Sequence, residues 1–194
     1  MTKLKELFFK IYKPKRRIDY VIYTIIIFGG IFLDQLTKFL ASHFMSIGQS
    51  IPLIKGFLHI TYHTNDGAAF GMMGTPGQRW IFMSLSVIAI IIFALYLYLG
   101  NADSMLSAIS LSMIISGGIG NMVDRLGFGF YVNPLTGEGE VIDFIDFCGI
   151  WDAIFNGADS FVCVGAGLLI LAMVLEIIKE SKAEKAKASE KGKK

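Results

Sequence analysis

Residues 80–99 read WIFMSLSVIAIIIFALYLYL, a run without a single formal charge. An α-helix rises 1.5 Å per residue, so about 20 apolar residues span a hydrocarbon layer ~30 Å thick. Trp80, Tyr96 and Tyr98 fall near the two ends of this run, where amphipathic rings favour the headgroup level. The rest of the chain agrees. Its 194 residues are 54% hydrophobic and only 18% charged, with a mean hydropathy of +0.58. That is more apolar surface than one small core can hide, which excludes disorder, a collagenous repeat and an ordinary soluble domain.

Working outward from residues 80–99, three further stretches reach spanning length, at 20–41, 104–123 and 157–178. The one at 104–123 is weaker in hydropathy, with interspersed serines and the run Gly117-Gly118-Ile119-Gly120. Small residues let membrane helices approach closely, so this span is expected to pack against protein rather than lipid. Seven of the 18 Lys and Arg residues precede Tyr20 and seven follow Ile178. Cytoplasmic segments carry such positive excess, which places both termini inside, as four spans require. The basic start is not expected to be a cleaved signal peptide, since the first apolar run continues into Asp34 and Lys38 without a small-residue cleavage site. The reading is an all-α integral membrane protein of four transmembrane helices: a basic segment at 1–19, a membrane domain at 20–180 and a basic tail at 181–194. The tail is expected to be frayed helix or disordered, with mild attraction to anionic lipid.

Two loops, from His43 to Arg79 and from Asp124 to Phe155, then lie outside. In the first, the β-branched and aromatic stretch LHITYHT at 58–64 predicts a strand, hence a small extracytoplasmic sheet. The second carries Asp124, Glu138, Glu140, Asp143, Asp146 and Asp152, with Asp159 just beyond, against the single base Arg125. This acidity is the feature that asks for a chemical explanation.

Asp34 and Lys38 stand four apart, suited to an intrahelical ion pair that would spare each a solitary charge near lipid; alternatively Asp34 anchors a neighbouring helix or loop. Asn121, Asp124 and Arg125 share one helix face at i, i+3 and i+4. Asp143, in VIDF, has apolar neighbours that would partly dehydrate its carboxylate. Asp159 follows Asn156 by three, the spacing of a helix cap and its N3 acid, and that capping role competes with a chemical one. If two carboxylates share a site, repulsion and desolvation raise one pKa while the other stays ionised. One can then accept a proton from water as the other donates to the substrate, hydrolysing a peptide bond without a nucleophilic side chain. Other chemistries lack their residues. The histidines, His43, His59 and His63, sit in the first outer loop with no cysteine nearby, and no Walker, dinucleotide-binding or HExxH pattern occurs. Cys148 and Cys163 have no zinc spacing, so no metal is expected, and the basic ends lack the interleaved aromatics of a nucleic-acid partner.

DQLTK at 34–38, NDGAAFG at 65–71, GNMVDR at 120–125, VIDF at 141–144 and FNGADS at 155–160 resemble, in order, the five signature blocks of bacterial lipoprotein signal peptidase (signal peptidase II). The resemblance implies a metal- and cofactor-independent aspartyl endopeptidase of the bacterial inner membrane. Such enzymes remove signal peptides from diacylglyceryl prolipoproteins just before the lipidated cysteine and are targets of globomycin. Carried over by motif, Asp143 and Asp159 become the catalytic pair, and Asn65 and Arg125 the polar contacts to substrate or inhibitor. Asp34, Lys38, Asn121, Asp124 and Asn156 become residues that shape or support the site. A monomer working on membrane lipid-borne substrates follows from the same resemblance. Asp146 and Asp152 lie between the matched acids, so spacing alone does not dismiss another carboxylate partner. The NDGAAF region is expected to cradle the peptide and the loop before Asp143 to act as a lid. A non-catalytic carrier or assembly factor is the rival class, and would place ionisable residues near the membrane midplane. An enzyme acting on lipid headgroups would call for a metal or a histidine beside the aspartates.

Overall fold

The computed structural model describes residues 15–66, 78–102 and 104–191. Its elements in chain order are α1 (Arg17–Phe44), β1 (Ser50–Ile54), β2 (Leu58–Asn65), α2 (Gln78–Tyr98), α3 (Met105–Arg125), β3 (Val141–Asp146), β4 (Ile154–Phe155) and α4 (Gly157–Lys191). Four stretches within these helices are long and apolar enough to cross a membrane: Arg17–Phe44, Arg79–Tyr98, Met105–Arg125 and Gly157–Ala183. The tail expected to fray or be disordered continues α4 as helix up to Lys191. Its run of Ala, Glu and Lys has high helix propensity and follows an already nucleated helix, which removes the nucleation cost.

The α2 helix ends as its sequence demands. Gly100 takes φ 77°, its N–H bonds Leu97 O at 3.1 Å and the Asn101 N–H reaches back to Tyr96 O at 3.1 Å. This paired closure needs a left-handed residue, which glycine supplies without strain. Four residues later Ser104 caps α3, accepting the Ser107 N–H at 3.1 Å. The connection is therefore tight, and α2 and α3 run back to back.

The α3 span is the central one. Half of its most apolar window is buried, against 11–22% for the other three, as its small residues predicted. A side chain on Gly117 would collide with the Ala158 carbonyl of α4, and one on Gly120 with the Asp34 carboxylate of α1. Both glycines thus allow close backbone approach where α1, α3 and α4 meet. Tyr23, Ile27, Leu97, Leu111 and Ile115 fill the core between α1, α2 and α3.

At the opposite end from the α2–α3 turn lies a four-stranded antiparallel sheet, ordered β1-β2-β3-β4. LHITYHT forms β2 as expected. VIDF, read as loop, is also a strand, because Ile142 and Phe144 bury against Ala41 near the end of α1 and Tyr62 of β2. Between Ile60 and His63 the β2–β3 register shifts, with three steps on β2 opposing two on β3. Such a bulge re-aims the side chains beyond it. His63 and Asn65 then face the same side as Asp143, whereas His59 pairs with Asp146. Successive residues of a strand alternate faces, so Asp143 and Asp146 point to opposite sides of β3.

Candidate active site

Asp143 is held in β3 between buried Ile142 and Phe144 and is 2% exposed. Asp159 arrives from another direction, in the first turn of α4. The capping geometry foreseen for it is present: Asn156 Oδ1 accepts the Asp159 backbone N–H at 2.9 Å, and Asp159 Oδ2 accepts the Asn156 N–H at 3.1 Å. This reciprocal pair satisfies two helix-terminal donors. It leaves Asp159 Oδ1 for Asn121 Nδ2, which donates at 2.8 Å from α3.

The capping and chemical roles are therefore compatible. The Asn156 amide donates to Asp143 Oδ1 at 2.7 Å and to Asn121 Oδ1 at 3.0 Å. Two carboxamides thus link the two carboxylates, in the order Asp143, Asn156, Asn121, Asp159. Asn65 Nδ2 completes the hold on Asp143, donating to Oδ2 at 3.1 Å. Asp143 is pushed up to about 7, chiefly by burial and then by the negative charge of Asp159; hydrogen bonds from Asn65 and Asn156 and the charge of Lys38 oppose this.

Beneath this layer, Lys38 Nζ lies 2.8 Å from Asp34 Oδ2, 2.6 Å from Asp124 Oδ2 and 2.9 Å from Asn121 Oδ1. The ammonium donates to Asp34 and Asn121 and pairs by charge with Asp124. Gln35 donates to Asp34 and Asp124, while Asp34 Oδ1 accepts the Ala158 N–H at 2.7 Å. Both readings of Asp34 hold: it pairs with Lys38 and it anchors the start of α4. Asp34, Lys38 and Asp124 are at most 1% exposed. Such a group is costly to desolvate and costlier still to break. It fixes Asn121, and through Asn121 the orientation of Asp159.

A cavity of about 1030 Å³ opens over the pair, lined on its polar side by Asn65, Asp66, Arg125, Asp143 and Asp159. Its apolar wall includes Ile150, Trp151, Ile154, Phe155 and Val162. Arg125 therefore meets the aspartates in space, as its position beside Asn121 and Asp124 suggested. Asp152 also lines the cavity, whereas Asp146 does not and instead accepts the Thr61 hydroxyl at 2.6 Å. Of the NDGAAF stretch expected as a cradle, Asn65 and Asp66 contribute to the wall; residues 67–70 lie outside the described residues. The stretch expected as a lid closes on itself as a hairpin, with Val132 bridged to Gly139 and Asn133 Nδ2 on Glu140 Oε1 at 2.6 Å.

Sequence reasoning missed Arg79. Counting Arg125 as the single base of the acidic outer region overlooked a guanidinium delivered from the start of α2. Arg79 pairs with Glu138 at 2.7 Å and donates to the carbonyls of Arg125 at 2.6 Å and Gly139 at 2.7 Å. It straps the hairpin to the end of α3. The available signal was its position one residue before Trp80, at the boundary of a span.

A family model described as "Signal peptidase (SPase) II" matches residues 26–175. The lipoprotein signal peptidase of Halothermothrix orenii is 40% identical over 147 residues, covering 76% of this chain and 91% of that protein. That of Halalkalibacterium halodurans is 38% identical over 169 residues, covering 86% and 99%. A bacterial membrane enzyme solved by the in meso method at 2.3 Å superposes with a TM-score of 0.67 at 32% identity, covering 80% of this chain and 89% of its own. Four spans with a small sheet at one end match that enzyme in fold, and the family is one of proteases rather than carriers. The chain belongs to the signal peptidase II family of membrane-spanning lipoprotein signal peptidases.

Proposed function

We propose that the chain cleaves diacylglyceryl-modified prolipoproteins just before the lipidated cysteine, using Asp143 and Asp159 as a general acid–base pair. The observation that carries this reading is the meeting of two carboxylates from separate elements in one cavity, each bound by an amide of a linked Asn pair. Asp143, raised to about 7 by burial and by the charge of Asp159, is the member that donates a proton. Asp159 takes a proton from the attacking water as its oxygen bonds to the scissile carbonyl carbon. Asp143 first donates to the carbonyl oxygen; as the tetrahedral diol collapses, the C–N bond breaks, the proton held by Asp159 passes to the leaving amine and one hydroxyl proton returns to Asp143. Arg125 and Asn65 orient the peptide backbone, and the apolar wall receives the side chains before the cut. The positive termini support cytoplasmic ends and an extracytoplasmic site. The acyl chains of the substrate remain in lipid, the chain acts as a monomer, and globomycin-type cyclic peptides compete for the same cavity.

The test is processing of a lipidated prolipoprotein by the purified protein and by its Asp143→Asn and Asp159→Asn forms, with EDTA present throughout. Both variants are expected to lose at least ~10²-fold in rate, and EDTA to leave the wild type active. Full cleavage by either variant removes that residue from the pair, and loss of wild-type activity in EDTA sinks the metal-independent mechanism.

A further inference from the structure

We propose that His59, Asp146 and Cys148 form a zinc-binding site on the side of the sheet away from the catalytic aspartates. His59 and Asp146 are direct cross-strand partners on β2 and β3, and Cys148 opens the turn that follows β3. One ligand atom from each lies within 4.8 Å of the others. A tetrahedral zinc with Zn–N near 2.0 Å and Zn–S near 2.3 Å needs donors roughly 3.5 Å apart. Side-chain adjustment of about 1 Å among the three residues closes that gap. One nitrogen, one oxygen and one sulfur suit zinc; calcium and magnesium take oxygen alone.

The surrounding hydrogen bonds set the imidazole for this task. The Thr61 hydroxyl donates to Asp146 Oδ2 at 2.6 Å. Its proton is thereby used, so in the 2.8 Å contact between Ser50 Oγ and Thr61 Oγ1 the Ser50 hydroxyl is the donor. Ser50 Oγ must then accept in its 3.1 Å contact with His59 Nδ1. The neutral ring consequently carries its proton on Nδ1 and presents a bare lone pair at Nε2. That atom is shielded from solvent and has no hydrogen-bond partner among the described residues. Leaving a buried acceptor unmatched is unfavourable, and a metal ion supplies what it lacks. Ser50 and Thr61 are then the outer groups that metal-bound histidine and carboxylate ordinarily have. Three protein ligands leave a fourth position for water. Zinc held there fastens the turn after β3 to β2, and that turn leads into Ile150 and Trp151 on the cavity wall.

The test uses full-length protein in detergent, stripped of metal with EDTA, desalted and titrated separately with Zn²⁺ and Co²⁺. One Zn²⁺ per chain is expected, and a Co²⁺ complex with thiolate-to-metal charge-transfer absorption. Cys148→Ser abolishes that absorption, His59→Ala weakens Zn²⁺ binding at least ~10-fold, and Thr61→Val weakens it by ~10–100-fold. All three variants still process prolipoprotein, which separates this site from the proposed peptidase chemistry. Absence of stoichiometric Zn²⁺ binding or of the thiolate band in the wild type overturns the proposal, and that result needs no variant. So does Zn²⁺ binding that survives both His59→Ala and Cys148→Ser, or that is lost in Asp143→Asn instead.

Discussion

Asp143→Asn should make the protein more stable at neutral pH than the wild type, and less so in acid. A carboxyl raised from 3.8 to about 7 holds its proton more tightly folded than unfolded. The folded state is therefore penalised as pH climbs through the unfolded value near 4, and the penalty is nearly complete by pH 7. Roughly three pH units at 1.36 kcal/mol each give about 4 kcal/mol, undiscounted for screening because Asp143 is 2% exposed. Asparagine carries no such charge. Its own NH₂ must, however, face either the Asn65 or the Asn156 amide that Asp143 accepts from, a mismatch costing ~1–3 kcal/mol at every pH. The net gain at pH 7.5 is then about 1–3 kcal/mol, falling to zero or below near pH 4.5. Thermal unfolding in detergent across this range reads the difference. At ~2–4 °C per kcal/mol for a chain of this size, the Tm gap between variant and wild type should widen by about 6–12 °C from pH 4.5 to 7.5. A gap that stays flat, or narrows as pH rises, would refute the buried, proton-holding state assigned to Asp143.

Lys38→Met leaves Asp34 and Asp124 facing one another without a cation, both buried; a loss of ~3–5 kcal/mol is expected, seen as a lowered Tm and reduced yield of folded protein, and unchanged stability would mean that the ion cluster is dispensable. Arg79→Ala releases the carbonyls of Arg125 and Gly139, so processing should slow mainly through a raised KM, while Arg79→Lys, keeping one charge but not the forked donor, recovers only part; equal activity of all three proteins would dismiss the strap.

The four spans were legible because lipid demands a long apolar run, which does not depend on distant residues. The sheet was legible only in part. LHITYHT alternates and is β-branched, but VIDFID mixes apolar residues with acids and spans six positions, too short for its period to be separated from that of a loop. Its burial comes from Ala41 and Tyr62, far away in the chain. Within the site, the shared face of Asn121, Asp124 and Arg125 could be read from helical spacing alone. The chain of amides from Asn156 to Asn121 could not, since it joins α3 to the start of α4 across the Gly117 and Gly120 contact. The bulge that turns His63 toward Asp143 and leaves His59 beside Asp146 has no mark in composition, because it is fixed by pairing with β3.

The start of α4 has a consequence for assembly. Its first turn is closed by Asn156 and Asp159 bonding each other's backbone, and its Ala158 N–H is claimed by Asp34 of the first span. The groups that let the last helix begin in register are thus those that aim a carboxylate into the cavity. On the proposed mechanism, a copy whose fourth span inserts late or out of register lacks the reagent as well as the fold, so hydrolysis would wait until the bundle closes.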